Sequence, residues 1–270
     1  MATTNLQFRK SSKLGFAFSD SLIMIKRSCT HILRNTDQLL GAFFQPVMFL
    51  VLFASVFGGA ISKALPPGVS YLNFLMAGII VQTVSFGSTT TAVAVCNDLQ
   101  KGIVDRFRSL PMSNLAVLNG HVASDLLRNT ISTTVMLLAG LVIGFRSSAS
   151  FVNWLEIAGI LLLFTLAFSW LSAIVGVIAK SVEAVQWISF VMVFPLTFAS
   201  TAFVPAEGMN RVLRAFAVNQ PITQVVEAVR ALILGRPLGN HAWLAVIWSL
   251  GMLAIGIPLA SWLFKRKTNS

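Results

Sequence analysis

Long apolar runs that contain few charges alternate with shorter polar segments along most of the 270-residue chain. A helix needs about 20 predominantly apolar residues to cross the hydrocarbon core of a bilayer. Six runs approach that length, and each predicts a transmembrane helix. They cover residues 39–61, 71–95, 131–145 with an extension back to 129, 155–179, 187–204 and 243–264. The pattern therefore predicts an all-α integral membrane protein with six transmembrane helices.

The first 38 residues have a different pattern. From Leu14 to Ile32 apolar residues recur every three or four positions, while Lys26 and Arg27 occupy other faces. This period predicts an amphipathic interfacial helix on the membrane surface, and a packed cytosolic helix is the alternative. We therefore divide the chain into three parts. These are the cytoplasmic N-terminus 1–38, the transmembrane domain 39–264 and the basic cytoplasmic tail 265–270.

Composition agrees with a membrane protein, because 56% of the residues are hydrophobic and 11% are charged, whereas soluble domains carry about 25% charged residues. The net charge of +11 would suggest a nucleic-acid partner in a soluble protein. Here 14 of the 20 Lys and Arg residues fall in segments that are cytoplasmic if both termini are inside. The positive-inside rule therefore predicts a multi-pass membrane protein with both termini cytoplasmic, and the charge gives no reason to expect a nucleic-acid partner.

Several functional classes lack their usual motifs. The chain has no G-x-x-x-x-G-K-[ST] phosphate loop, which excludes a conventional ATPase. Its three histidines are far apart in sequence, and no spacing suggests a metal site or a catalytic constellation. We therefore expect a protein that is not an enzyme and holds no metal or cofactor.

Ionisable residues bear on a further class, the ion-coupled transporters, which place such groups at membrane depth. Asp125, Arg128, Glu156 and Glu183 all lie at the ends of the predicted spans. Asp125 and Arg128 are three residues apart and are expected to pair on one helix face. An empty membrane interior disfavours an ion-driven secondary transporter or a channel, which remains the alternative function.

One cytoplasmic segment, residues 96–113, is short, charged and bounded by the helix breakers Gly102 and Pro111. Apolar residues between them, such as Phe107, have helical spacing, and charged residues occupy other positions. The segment predicts a short amphipathic helix that projects into the cytoplasm. Such a helix could dock in a groove of a soluble partner; alternatively, it lies on the membrane or on the chain's own helices.

This segment resembles the cytoplasmic loop of type-2 ABC transporter permeases, in the branch related to daunorubicin and doxorubicin resistance permeases. The matching residues are Asp98, Gly102, Asp105, Arg106, Arg108, Ser109 and Pro111. Further matches follow the chain in order: Gln45-Pro46, Asp125 to Arg128, Phe203-Val204-Pro205, Gln220-Pro221 and Val226 to Leu232. The chain departs from the family at Asn210, where proline is common, and at Leu99-Gln100, where Arg and Glu are common.

The resemblance implies a permease subunit of an ATP-driven exporter for amphipathic drugs or lipids, located in the bacterial plasma (inner) membrane. It implies a dimer of permeases, with a homodimer expected, bound to two ATPase subunits that hold ATP and Mg²⁺. The coupling helix would cover about 99–111, with Asp98, Gly102, Asp105, Arg106, Phe107, Arg108 and Pro111 at the ATPase contact. Outer re-entrant helices between spans five and six would contain Pro205, Gln220, Pro221, Glu227 and Arg230.

Two smaller features complete the prediction. Pro46 lacks a backbone N–H, so Gln45-Pro46 should kink span one. Glu227 and Arg230 are three residues apart on a predicted helix and are expected to pair with each other.

Overall fold

A computed structural model describes Thr30, residues 36–62, Leu65, residues 68–102 and residues 114–269. Regular structure within these residues is helical throughout. A 3₁₀ turn at Ala206–Gly208 accompanies eight α-helices of the described chain. The helices are α1 (Thr36–Ile61), α2 (Tyr71–Gln100), α3 (Asn114–Ile143), α4 (Phe151–Ile178), α5 (Val182–Phe198), α6 (Arg211–Asn219), α7 (Pro221–Ile233) and α8 (His241–Asn269).

Five of the described helices, α1, α2, α3, α4 and α8, are long and apolar enough to cross a membrane. The protein is therefore a multi-pass membrane protein, as its hydropathy predicts. The predicted fifth span corresponds to α5, which is apolar but has 17 residues and ends at Phe198, before the expected limit at Val204. At 1.5 Å per residue α5 is about 26 Å long, slightly less than a hydrocarbon core of about 30 Å.

Local sequence explains where several helices begin and end. The hydroxyls of Ser70, Ser150 and Ser181 each accept a hydrogen bond from the backbone N–H three residues later, which caps α2, α4 and α5. Pro221 starts α7, where the missing N–H has no cost. Gly102 follows the end of α2 with φ +62, a conformation that glycine adopts without steric strain.

The core of the bundle is formed by α2 and α4, whose side chains are mostly buried. Helix α2 packs against α1, α3, α4, α5 and α7. Helices α1 and α5 lie at one side of the bundle and expose large apolar side chains such as Phe44, Val56 and Trp187. Apolar side chains can face lipid without penalty, so a membrane protein does not have to cover this side with its own chain.

The third span differs most from the prediction. Helix α3 begins at Asn114, 15 residues before the expected limit, and Asp125 and Arg128 lie in its interior. Both are buried, with exposures of 1% and 8%. The expectation that no span carries a buried ionisable residue near its middle was therefore wrong. Hydropathy assigned residues 114–128 to a loop, whereas they are helical, and His121, Asp125 and Arg128 find polar partners on neighbouring helices.

The two ends of the bundle collect different connecting segments. We call the end of the bundle where α2 ends and α3 begins the loop end. There the Gln100 amide donates to the carbonyl of Lys180 at 2.8 Å, and Lys267 donates to the carbonyl of Ala179 at 3.2 Å. At the far end, the Arg146 N–H donates to Asn73 at 3.2 Å. The described parts of three segments predicted to be cytoplasmic, which begin at residues 96, 180 and 265, thus share the loop end. Basic residues 265–267 prolong α8.

Candidate functional site

A groove with a cavity volume of about 260 Å³ lies between α1, α2 and α5. Aromatic rings and uncharged polar side chains form its walls, and no charged residue takes part. Ligand sites for small molecules commonly combine apolar walls with a few polar groups in this way. The groove is lined by Gln45, Phe49, Gln82, Phe86, Thr89, Val93, Gln186, Ser189, Phe190, Phe194 and Phe198.

Gln82 is the most distinctive residue of this groove. It lies in the interior of α2 with an exposure of 3%, and its Oε1 is buried without a hydrogen-bond partner. Leaving a buried carbonyl oxygen unpaired costs about 1–3 kcal/mol. The oxygen is therefore an unused hydrogen-bond acceptor beside the groove, and the Gln82 side chain has to turn toward the groove before a molecule there can donate to it.

A row of phenylalanine rings continues from the groove toward the far end. Along α5, Phe190 and Phe194 have ring centres 4.9 Å apart, and Phe194 and Phe198 are 4.2 Å apart. The row continues to Phe203, whose ring centre is 5.0 Å from that of Phe198. These spacings are those of favourable aromatic pairs. The row therefore joins the groove to the buried Phe203 ring near the far end.

Gln45, one of the two residues predicted to kink span one, lines this groove. Helix α1 continues from Thr36 to Ile61 through Pro46, which is buried. Gln45, which the sequence singled out for its place beside the proline, lines the groove together with Gln82. Its position beside a potential ligand was not part of the prediction.

At the loop end, Asp98 and Gly102 are the only predicted coupling residues within the described chain. Asp98 Oδ2 lies 3.0 Å from Nε2 of His121, so a partly buried contact joins α2 to α3. The sequence had considered His121 only as a metal ligand and missed this pairing. Asp105, Arg106, Phe107, Arg108 and Pro111 lie outside the described residues, as does the predicted N-terminal amphipathic helix.

Deeper in the bundle, Asp125 and Arg128 pair as the sequence predicts. Contacts that the spacing could not predict extend this pair to other helices. The Arg128 guanidinium also donates to the carbonyl of Gly87 in α2 at 3.0 Å, and the Ser169 hydroxyl of α4 donates to Asp125. The pair is therefore the centre of a polar cluster that joins three helices.

At the far end, the predicted pair Glu227 and Arg230 is confirmed, with Oε1 and Nη1 2.6 Å apart. Arg230 is also hydrogen-bonded to three backbone carbonyls, those of Phe74 at 3.2 Å, Thr201 at 2.7 Å and Ala202 at 3.3 Å. One buried guanidinium thus fastens α7 to α2 and to the segment after α5.

Three other predicted outer residues lie in the same region. The Gln220 amide donates to the carbonyl of Ala199 at 2.7 Å, Pro221 begins α7, and Pro205 precedes the 3₁₀ turn. The predicted outer segment is therefore helical, with α7 packed into the bundle and α6 largely exposed. Among residues whose structure is described, no three His, Cys, Asp or Glu side chains lie together as metal ligands.

Comparison with known proteins addresses the family. The sequence profile of the ABC-2 type transporter family matches residues 20–234. The daunorubicin resistance ABC transporter permease protein DrrB1 of Streptomyces coeruleorubidus is 31% identical over 230 residues, which cover 85% of this chain and 80% of that protein. The probable doxorubicin resistance ABC transporter permease protein DrrC of Mycobacterium tuberculosis is 23% identical over 243 residues, covering 90% and 87%.

A further relative is the putative transport permease ycf38 of Cyanophora paradoxa, which is 24% identical over 255 residues, or 93% of this chain and 86% of its own length. The profile match includes the loop that carries the predicted coupling residues. The profile match also covers well over half of the chain. This chain belongs to the ABC-2 type transporter family.

Proposed function

We propose that this chain is the permease subunit of an ATP-driven exporter that moves amphipathic drugs or lipids across the bacterial inner membrane. Membership of the ABC-2 type transporter family supports a transport role with a separate ATPase. Relatives named for daunorubicin and doxorubicin resistance support drug-like cargo. ATP and Mg²⁺ bind to the ATPase subunit, and this chain provides the path.

The observation that carries this proposal is the groove with its unpaired Gln82 oxygen. An amphipathic molecule stacks its rings on Phe86 or Phe190 and donates a hydrogen bond to Gln82, which replaces part of its lost hydration. The phenylalanine row on α5 supports onward movement toward the far end. The absence of charge in the groove's walls favours a neutral ring system over a free ion.

Drive for this movement comes from the ATPase through the coupling helix at about 99–111. Closure of the ATPase pair displaces this helix, and the attached spans turn as rigid bodies between inward-open and outward-open states. Arg106 and Arg108 bear positive charge at the contact with the ATPase, and Phe107 anchors it. The N-terminal amphipathic helix lies beside this contact.

A second copy of the chain completes the path. The apolar side chains that α1 and α5 expose support a homodimer with this side at its centre, because the groove is open there. In this arrangement α5 is the fifth of six spans, α6 and α7 are outer re-entrant helices, and both termini are cytoplasmic. Two ATPase subunits then bind one pair of permeases, with membrane lipid around the outside.

One observation favours a second candidate, an ion-driven transporter. Asp125 and Arg128 are buried in the interior of a membrane span, where ionisable groups often serve ion coupling. The interior of the bundle therefore does contain the ionisable groups that such a transporter needs. Family membership still favours the ATP-driven exporter. The two candidate functions differ in their energy source.

Purification in mild detergent with mass spectrometry of bound proteins tests the ATPase partner, and transport into proteoliposomes then tests the energy source. We expect a stoichiometric subunit with a phosphate loop and ATP-dependent transport. The variant R106E/R108E should abolish transport but preserve insertion. R211E/R214E is the matched control, because it makes the same charge change on exposed α6. Transport that ignores ATP and collapses with an ion gradient would establish the second candidate.

A further inference from the structure

The carboxylate of Asp125 connects three membrane helices through its two oxygens. Oδ1 accepts from Arg128 within α3 and lies 3.4 Å from the hydroxyl of Thr90 in α2. Oδ2 accepts from the hydroxyl of Ser169 in α4. Arg128 extends the connection by donating to the carbonyl of Gly87 in α2 at 3.0 Å. We call these five residues the polar node.

The depth of the polar node follows from residue counts. Thr90, Asp125 and Ser169 are about 14–16 Å from the loop ends of their helices at 1.5 Å per residue. The helices themselves are about 42–45 Å long, so about 7 Å projects beyond each side of a 30 Å hydrocarbon core. For helices that stand perpendicular to the bilayer and are centred on its hydrocarbon core, these lengths place the polar node about 8 Å inside the hydrocarbon, on the side of the loop end.

Stabilisation of the helix packing alone is a poor explanation for an ion pair at that depth. Removing two ions from water costs several kcal/mol for each ion, and apolar residues of similar volume often give equal or higher stability. Ionisable residues inside membrane spans are therefore functional candidates by default. Substrate binding does not explain this pair, because none of the five residues lines the groove.

A second contact ties the same helices nearer the loop end. His121 is four residues before Asp125, so both lie on one face of α3, about 6 Å apart along the axis. His121 contacts Asp98 of α2 at 3.0 Å. Helix α4 approaches α2 at this level too, because a Cβ on Gly176 would lie 2.4 Å from the backbone oxygen of Ala92. Helices α2 and α3, which flank the 103–113 segment, are thus connected at two levels, by the polar node and by the contact between Asp98 and His121.

We propose that the polar node is the transmission point between ATP hydrolysis and substrate movement. Asp125, Arg128 and Ser169 act as positioning residues that make α2, α3 and α4 move as one body when the 103–113 segment is displaced. Asp98 and His121 hold α2 and α3 side by side at the loop end. This inference rests on the proposed function, since the displacement comes from the ATPase.

The most selective test is Ser169→Ala, which removes the α3–α4 hydrogen bond and leaves the ion pair in place. Thr165→Val is the matched control, because Thr165 is buried in the same helix and donates to the carbonyl of Leu161 within that helix. The readout is the number of ATP molecules hydrolysed per substrate transported by the reconstituted complex. We expect about a tenfold rise for S169A, from loss of a charge-assisted hydrogen bond, and a value near wild type for T165V.

The double variant D125N/R128M separates transmission from folding. It removes both charges together, so neither is left buried and unpaired. We expect a thermal midpoint near that of the wild type with ATP hydrolysis retained and transport largely lost. A double variant that transports with the wild-type ratio, or an S169A protein that matches T165V, would overturn the proposal. A wild-type complex without ATP-driven transport would instead contradict the proposed function.

Discussion

The guanidinium carbon of Arg230 lies 3.6 Å from the centre of the Phe74 ring. The same side chain donates to the backbone carbonyl of Phe74 at 3.2 Å and to that of Thr201 at 2.7 Å. A desolvated cation over an aromatic face contributes about 2 kcal/mol. One residue of α7 therefore holds both α2 and the end of the aromatic row in place. An outward path at the far end has to move this unit or pass beside it.

Removing this guanidinium should strongly destabilise the far end. Arg230→Met leaves Glu227 and the carbonyls that accepted its hydrogen bonds without their partner, and we expect a loss of about 3–5 kcal/mol in the free energy of unfolding. Arg230→Lys should recover only part of this, because an ammonium group lacks the planar fork. Thermal unfolding in detergent measures both variants. Arg211→Met, at an exposed position, is the control, and equal midpoints for the two Met variants would contradict the assignment.

Gln82→Met should change stability and transport in opposite directions. Methionine has a similar length but no acceptor, so the unpaired oxygen is removed and the protein should become more stable by about 1–3 kcal/mol. Transport of substrates that donate hydrogen bonds should fall at the same time. Gln224→Met is the contrasting control, because the Gln224 amide already bonds Val218 and His241 at 2.6 and 2.8 Å. Its stability should decrease, and unchanged transport in Q82M would exclude the role of Gln82.

A methyl group on Gly78 should disturb the far end. A Cβ at this position would lie 2.0 Å from the carbonyl oxygen of Ala202, which cannot move freely because Arg230 binds it. We expect Gly78→Ala to lower the free energy of unfolding by about 1–3 kcal/mol, as overpacking does. Gly251→Ala on α8 is the control, since nothing lies within 4 Å of its Cβ position. Equal thermal midpoints would show that the two segments are farther apart.

Membrane orientation can be tested with two introduced cysteines. Ser148 is exposed at the far end and Lys101 is exposed at the loop end. In a Cys29→Ser background, S148C should react with an impermeant thiol reagent in intact cells, and K101C should react only after permeabilisation. Native Cys96 is buried and serves as the internal reference. The opposite labelling pattern would place the termini outside.

The tie between Asp98 and His121 can be measured by a double-mutant cycle. Residues in direct contact show coupling energies of about 0.5–3 kcal/mol, whereas distant pairs are additive within about 0.5 kcal/mol. We therefore expect D98A and H121A to be clearly non-additive in thermal unfolding. Pairing D98A with H241A, a histidine bonded to Gln224 elsewhere, gives the additive reference. Additive effects for the first pair would indicate that the contact at the loop end contributes nothing.

The sequence predicted features that depend on local spacing. Apolar runs located the membrane helices, because a helix in lipid must satisfy its own backbone and present apolar side chains. The pairs Asp125–Arg128 and Glu227–Arg230 followed from a spacing of three residues on one helix face. Charge counts divided the connecting segments into two groups. The described residues of these two groups lie at opposite ends of the bundle.

Only the tertiary structure decided which polar residues lie at membrane depth and what they contact. Hydropathy cannot distinguish a polar loop from a polar helix whose partners are on other helices, so the start of α3 was predicted 15 residues too late. The partners of Arg230 are backbone carbonyls, which carry no sequence signal. The groove required three helices to meet. Among the 21 phenylalanines of the chain, no sequence pattern distinguishes those that line the groove. Local spacing determines helices and neighbouring pairs, while contacts between distant segments depend on how the helices pack.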